Sequence, residues 1–350
     1  MGDPRPRGLR LLSLDGGGIR GLSELIILEE LMERIKWIKK LPEVPIPADY
    51  FDLIGGTSTG GIIALLLGRL RLSAAEAIKV YEDLVRIIFS KKKRTGKDGT
   101  FEATILEKVM KDVVASRLDG RADALMYERE DSHACRVFVC ALGAPNITHP
   151  TGPTLFRTYD VPKNKEYNCT IWQAARATSA APTLFKRIKI GPPESATDYV
   201  DAGIGFNNPV KKVIEEVPMA FGRDRPVSCI VSIGTGRKGI TSYDQQNFSE
   251  NLLPRELIKA LKDIATDTDR TAHEMSERYH TAGIYYRFNV DQGLDSVSLD
   301  EWRHLNAVRH HTKNYLKKID VGDAVDKLVA VLVDGSNASY VLGHIGTAVS

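Results

Sequence analysis

The sequence predicts an α/β fold, with a mainly parallel central sheet flanked by helices. Three observations predict it. Apolar runs of strand length alternate with longer stretches whose apolar residues recur at helical spacing. The runs 9–14, 136–142 and 227–233 are mostly apolar without strict alternation, as strands covered on both faces require. The glycine-rich stretches follow such runs, where parallel sheets place their ligand sites. A chain of 350 residues, 43% of them hydrophobic, can bury the large core this fold needs.

Taken in order, Leu9 to Leu14 reads as a buried strand. Gly21 to Lys40 carries apolar residues at Leu22, Leu25, Ile26, Leu28, Leu31, Met32 and Ile35, the spacing of one helix face. Pro42, Pro45 and Pro47 mark a loop. Two apolar runs, Tyr50 to Ile54 and Ile62 to Leu67, flank a small-residue turn. Ser73-Ala74-Ala75-Glu76 reads as a capping box that opens a helix to about Phe89. A basic linker from Ser90 to Thr100 precedes a helical pattern from Phe101 to Val114. Arg136 to Leu142 and Val227 to Ile233 are further buried strands. No internal repeat appears, and the glycine stretches and the late Asp201 argue for one domain over 1–334. The small residues of 335–350 read as a tail or the start of a following region.

Gly56-Thr57-Ser58-Thr59-Gly60 between two apolar runs has the pattern of a nucleophile elbow. The turn from strand to helix is so tight that the residues two before and two after the serine must lack side chains. Leu9–Leu14 is followed by Asp15-Gly16-Gly17-Gly18-Ile19-Arg20-Gly21. Successive glycines there present backbone N–H groups on one concave surface, as an oxyanion hole requires, and Arg20 adds a positive charge. Far along the chain, Tyr199-Val200-Asp201-Ala202-Gly203 puts a carboxylate at a strand end beside a glycine. Nucleophile, base and oxyanion donors are then all present.

In this order D-G-G-G-I-R-G, G-T-S-T-G and D-A-G resemble the motifs of the patatin-like phospholipase family. Ala174 to Phe185 and Ser232 to Gly236 resemble further family segments, so the matches run from about residue 9 to 236. The resemblance implies the three-layer patatin-like fold and a Ser–Asp dyad without histidine. Carried over, Ser58 is the nucleophile, Asp201 the base, and Gly16, Gly17 and Gly18 the oxyanion donors. Asp15, Arg20, Gly21, Gly56, Gly60 and Gly203 support them. Ala202, where the family often has glycine, is the one departure. The implied activity is calcium-independent hydrolysis of phospholipid or related acyl-lipid esters, with no cofactor and no metal. The alternative is a lipid-binding or effector module with a dormant site. Such domains also occur within larger proteins.

Composition excludes little else. A net charge of +3 is too mild for a nucleic-acid partner. The four cysteines, Cys135, Cys140, Cys169 and Cys229, match no zinc or disulfide spacing and read as small buried hydrophobes. The N-terminus has no apolar signal core, and no apolar run has the ~18 residues of a membrane span. The expected setting is cytoplasmic, with peripheral membrane contact where the substrate is lipid; Lys91 to Arg94 could meet anionic headgroups. Gly16-x-Gly18-x-x-Gly21 and Gly234-x-Gly236-x-x-Gly239 also fit a dinucleotide fingerprint, but neither continues as a βαβ unit. The eight histidines show no zinc-protease spacing and no catalytic loop after the acid.

Overall fold

The computed structural model describes residues 7–90, 101–128, 135–144, 152–162, 166–182, 184–236, 268–294 and 297–334, with the backbone of 340–341. The parallel centre of the sheet is built from β1 (Leu9–Leu14), β2 (Leu53–Thr57), β3 (Arg136–Gly143), β7 (Pro226–Ile233) and β8 (Tyr285–Phe288). Beside β3 lie β4 (Thr154–Arg157) and β6 (Thr197–Asp201), and β5 (Ile188–Ile190) pairs β6; these three strands run antiparallel to their partners. Among the described residues the main strand order is β5-β6-β3-β2-β1-β7-β8.

Alternation along β1 separates two cores. Leu12 and Leu14 join one apolar cluster with α1 (Leu22–Lys39), α3 (Ala74–Phe89) and α4 (Ala103–Arg117). The same cluster takes in α5 (Ile171–Thr178), α9 (Leu305–Leu316) and α10 (Ile319–Asp334). Leu9 and Leu11 point the other way, onto α7 (Val210–Phe221) and a helix α8 over 268–279. The result is a three-layer α/β sandwich. Ser73 caps α3 with the reciprocal Glu76 bonds of a capping box, as its sequence predicts.

The structure differs from the sequence expectation at several places. The second strand starts at Leu53, because Pro47–Asp49 forms a tight helical turn that ends at Tyr50. It extends through Gly55 and Gly56, which lack β-propensity but fit between neighbouring strands. Within the stretch read as a tail, Tyr340–Val341 forms β9 and pairs antiparallel with β7; 335–339 and 342–350 lie outside the described residues. So does the basic run Lys91 to Arg94. Among the described residues no helix is long and apolar enough to cross a membrane. All four cysteines are buried and unpaired, and burial pushes the thiols of Cys140, Cys169 and Cys229 up to about 12.

Candidate active site

The three motifs meet at the carboxyl ends of β1, β2 and β6. Between β2 and α2 (Thr59–Ala64) the chain reverses at Ser58, whose φ of 56° lies where side chains are disfavoured. A Cβ on Gly56 would stand 2.2 Å from the Gly60 carbonyl oxygen, and one on Gly60 2.4 Å from those of Leu14 and Asp15. Both positions therefore require glycine for close approach of backbones. The turn is held from outside by Ser58 N–H donating to Thr178 Oγ1 at 2.9 Å and Thr57 Oγ1 donating to the Phe206 carbonyl at 2.8 Å.

Ser58 Oγ donates to Asp201 Oδ2 at 2.6 Å. Asp201 ends β6, which runs antiparallel to β3; Asp201 sits opposite Ala141, and Thr57 opposite Cys140, so the register brings the carboxylate level with Ser58. Its other oxygen accepts the Gly203 N–H at 2.7 Å. Asp201 is only 5% exposed. Burial pushes its carboxyl up to about 6, and the bonds from Ser58 and Gly203 restrain that rise. A carboxylate raised this far is better matched to accepting a hydroxyl proton than a solvated aspartate is. Among the described residues no histidine bonds to Ser58 or Asp201. His273 and His304 approach Glu277 and Glu301, and His310 bonds Asn314; His133, His149 and His344 lie outside the described residues.

The glycine loop crosses above the serine. A Cβ on Gly16 would lie 3.0 Å from Ser58 Cβ. Gly16 is clamped: its N–H donates to the Asn207 carbonyl, and its carbonyl accepts from Asn207 Nδ2 and Thr235 Oγ1, all at 3.1 Å. Gly17 N–H donates to Thr59 Oγ1 at 3.0 Å. Gly18 has φ 55°, its carbonyl accepts the Tyr81 hydroxyl, and its N–H has no acceptor among the described residues. Gly21 leaves room for Tyr81, whose hydroxyl would be 2.7 Å from a Cβ there. Arg20 is buried within electrostatic reach of that hydroxyl.

Asp15 is buried and held bidentately by Arg287 of β8, at 2.6 and 3.1 Å. Arg287 also donates to Ser232 Oγ at 2.7 Å. The Asp15 N–H donates to Glu24 Oε1 at 2.8 Å, and burial pushes the Glu24 carboxyl well above its usual range. Sequence reasoning missed Thr59, Thr178, Asn207, Thr235 and Arg287 as parts of this site. The threonine beside Ser58 and the Asn207-Asn208-Pro209 run were visible in the sequence, while a lone arginine in Tyr285-Tyr286-Arg287-Phe288 carries no spacing signal. Arg287→Met would strand the buried Asp15. It is expected to lower unfolding stability by about 3–5 kcal/mol, measured by denaturant titration, and adding Asp15→Asn should recover most of the loss. Equal instability of the double variant would mean that Arg287 matters through packing alone. Among the described residues no group of three His, Cys, Asp or Glu side chains could hold a metal ion.

Comparison with known proteins agrees with the fold. The patatin-like phospholipase family matches residues 12–214. Calcium-independent phospholipase A2-gamma of Mus musculus is 31% identical over 314 residues, covering 86% of this chain and 37% of its own length. The chain thus spans about two fifths of that mammalian relative. Patatin-like protein 2 of Arabidopsis thaliana is 31% identical, covering 83% of this chain and 78% of its own length. Among solved structures, VipD from Legionella pneumophila aligns over 89% of this chain and 67% of its own, with a TM-score of 0.41 and 11% identity. With 12–214 matched and the plant relative covered over most of its length, the chain belongs to the patatin-like phospholipase family.

Proposed function

We propose that this chain is a lipid acyl hydrolase of the phospholipase A type, working through a Ser58–Asp201 dyad. The observation that carries the reading is the 2.6 Å bond from Ser58 Oγ to a buried Asp201 carboxylate, at a turn overlain by the glycine loop. In the proposed first step Ser58 Oγ attacks the ester carbonyl carbon and its proton passes to Asp201 Oδ2. The carbonyl oxygen becomes an oxyanion. As the tetrahedral intermediate collapses, Asp201 returns the proton to the leaving alkoxide. In the second step water attacks the acyl-serine and gives a proton to Asp201, which passes it to Ser58 Oγ as the tetrahedral intermediate collapses and the fatty acid leaves. Gly18 N–H is the proposed principal oxyanion donor. Gly17 N–H joins it when the Thr59 hydroxyl is displaced, while Gly16 N–H, held by Asn207, keeps the loop in place.

The relatives named as phospholipases support an acyl-lipid ester as substrate. The catalytic unit is proposed to span 1–334. A fluorophosphonate probe should label Ser58 and no other serine, and a lipid panel read by mass spectrometry should show fatty-acid release that Ser58→Ala abolishes. Labelling elsewhere, with full turnover in Ser58→Ala, would sink the assignment. Since base and donors all come from the chain, turnover is expected to survive EDTA. Loss on chelation with recovery on adding calcium would require a metal step absent from this scheme.

A further inference from the structure

Two segments that flank the site, the end of α3 and the start of β5, carry exposed basic and apolar side chains. α3 begins near Arg71, which pairs with Asp49 where the central strands start. It passes the glycine loop at Tyr81 and continues six residues to Ile87, about 9 Å further. Ile87 is 46% exposed there. Its neighbour Arg86 shares Glu82 with Arg309, at 3.6 and 2.6 Å, which leaves that trio net positive. The end of α3 is fixed to the segment before β5 by three aromatic rings. Phe89 lies 4.9 Å from Phe101 and 6.2 Å from Phe185, centroid to centroid.

Directly after Phe185 come Lys186 and Arg187, both exposed. β5 pairs β6 with Ile188 opposite Tyr199, so extending that register two residues puts Lys186 level with Asp201. Behind them Arg176 is buried, donating to the Lys186 carbonyl at 2.7 Å and meeting no carboxylate in an ion pair among the described residues. Lys189 faces Asp198 across the strand pair and is left out of the surface. An exposed aliphatic side chain among basic ones, beside the opening of a site, fits a surface that is anionic at the headgroups and apolar beneath them.

We propose that Ile87, Arg86, Lys186 and Arg187 dock the protein on an anionic lipid bilayer, with the site opening turned toward it. Charge complementarity selects this occupant, and the choice of lipid rests on the hydrolase reading. The test uses the full chain and phosphatidylcholine vesicles with and without one third phosphatidylglycerol, read by sedimentation at moderate salt. The wild type is expected to partition onto the anionic vesicles and to be released by high salt. Lys186→Gln with Arg187→Gln should weaken partition by roughly thirtyfold, and Ile87→Ser should weaken it on both kinds of vesicle. Thermal midpoints should not move, because these side chains are exposed. Turnover of a soluble short-chain ester should be unchanged in the variants, while release of fatty acid from anionic vesicles falls with partition. Equal wild-type binding to neutral and anionic vesicles, or none to either, would overturn the proposal; none to either would favour an acidic protein face as occupant. Unchanged partition of the double variant would also overturn it. Failure of the wild type on soluble and vesicle esters alike would instead remove the hydrolase reading and leave the partition result to stand by itself.

Discussion

Asp201→Asn is expected to be as inactive as Ser58→Ala, each losing roughly 10⁴-fold or more in turnover. The amide keeps the shape of the carboxylate but cannot accept the serine proton. In the proposed dyad the two groups act as one unit, so the double variant should be no worse than either single one. A multiplicative loss in the double variant would mean separate roles. The same carboxylate predicts the pH profile. Burial raises it to about 6, so kcat/KM on a soluble ester should rise about tenfold per unit below that pH and level off above it. A limb centred near 4 would place the base in solvent. The sign for stability is opposite to that of most aspartates. A native pKa above the unfolded value means that the folded chain holds a proton which the unfolded chain releases. This contribution is therefore present at low pH and lost as pH rises through about 6. Above it Asp201→Asn should unfold at a higher denaturant concentration than wild type.

Gly17→Val is expected to cut turnover by roughly 10² or more, the scale of a lost oxyanion donor. A Cβ at this position would lie 2.0 Å from Thr235 Oγ1. Thr235 also donates to the Gly16 carbonyl. The substitution must therefore move either the loop or the threonine that supports it. Its thermal midpoint should fall by less than its activity does, since the displacement is local. Steady-state turnover beside a melting curve decides this. Full activity would place the oxyanion donors outside the glycine loop.

Much of the fold was legible because its signals are local. β1, β3 and β7 announce themselves as mostly apolar runs without strict alternation, since both faces of each are covered. The glycines at 56 and 60 follow from a turn whose geometry forbids side chains. What stayed hidden is what local pattern does not encode. The apolar stretch before Asp201 does not reveal strand direction, so the antiparallel setting of β6 was invisible, as were the short strands β4 and β5. The clamp of Asn207 on Gly16 joins residues 191 apart, and the Arg287–Asp15 bridge joins residues 272 apart. Nothing in Tyr285-Tyr286-Arg287-Phe288 marks which carboxylate it will meet. The glycine loop was also only half readable. Three adjacent N–H groups suggested three equivalent donors, whereas two of them are engaged by Asn207 and Thr59.

The Asp15–Arg287 bridge also bears on when the site comes into being. A chain is made from its N-terminus, so Ser58 and Asp201 leave the ribosome well before Arg287 does. Until β8 arrives, the buried Asp15 carboxylate lacks the Arg287 cation, and the glycine loop lacks that electrostatic anchor. The nascent protein thus holds the proposed nucleophile and base without a settled loop above them. Esterase competence is expected to be a late event in synthesis. A fragment ending at residue 214 contains the family-matched segment but should react with a fluorophosphonate far more slowly than the full chain. Equal labelling rates would show that the loop settles without β8.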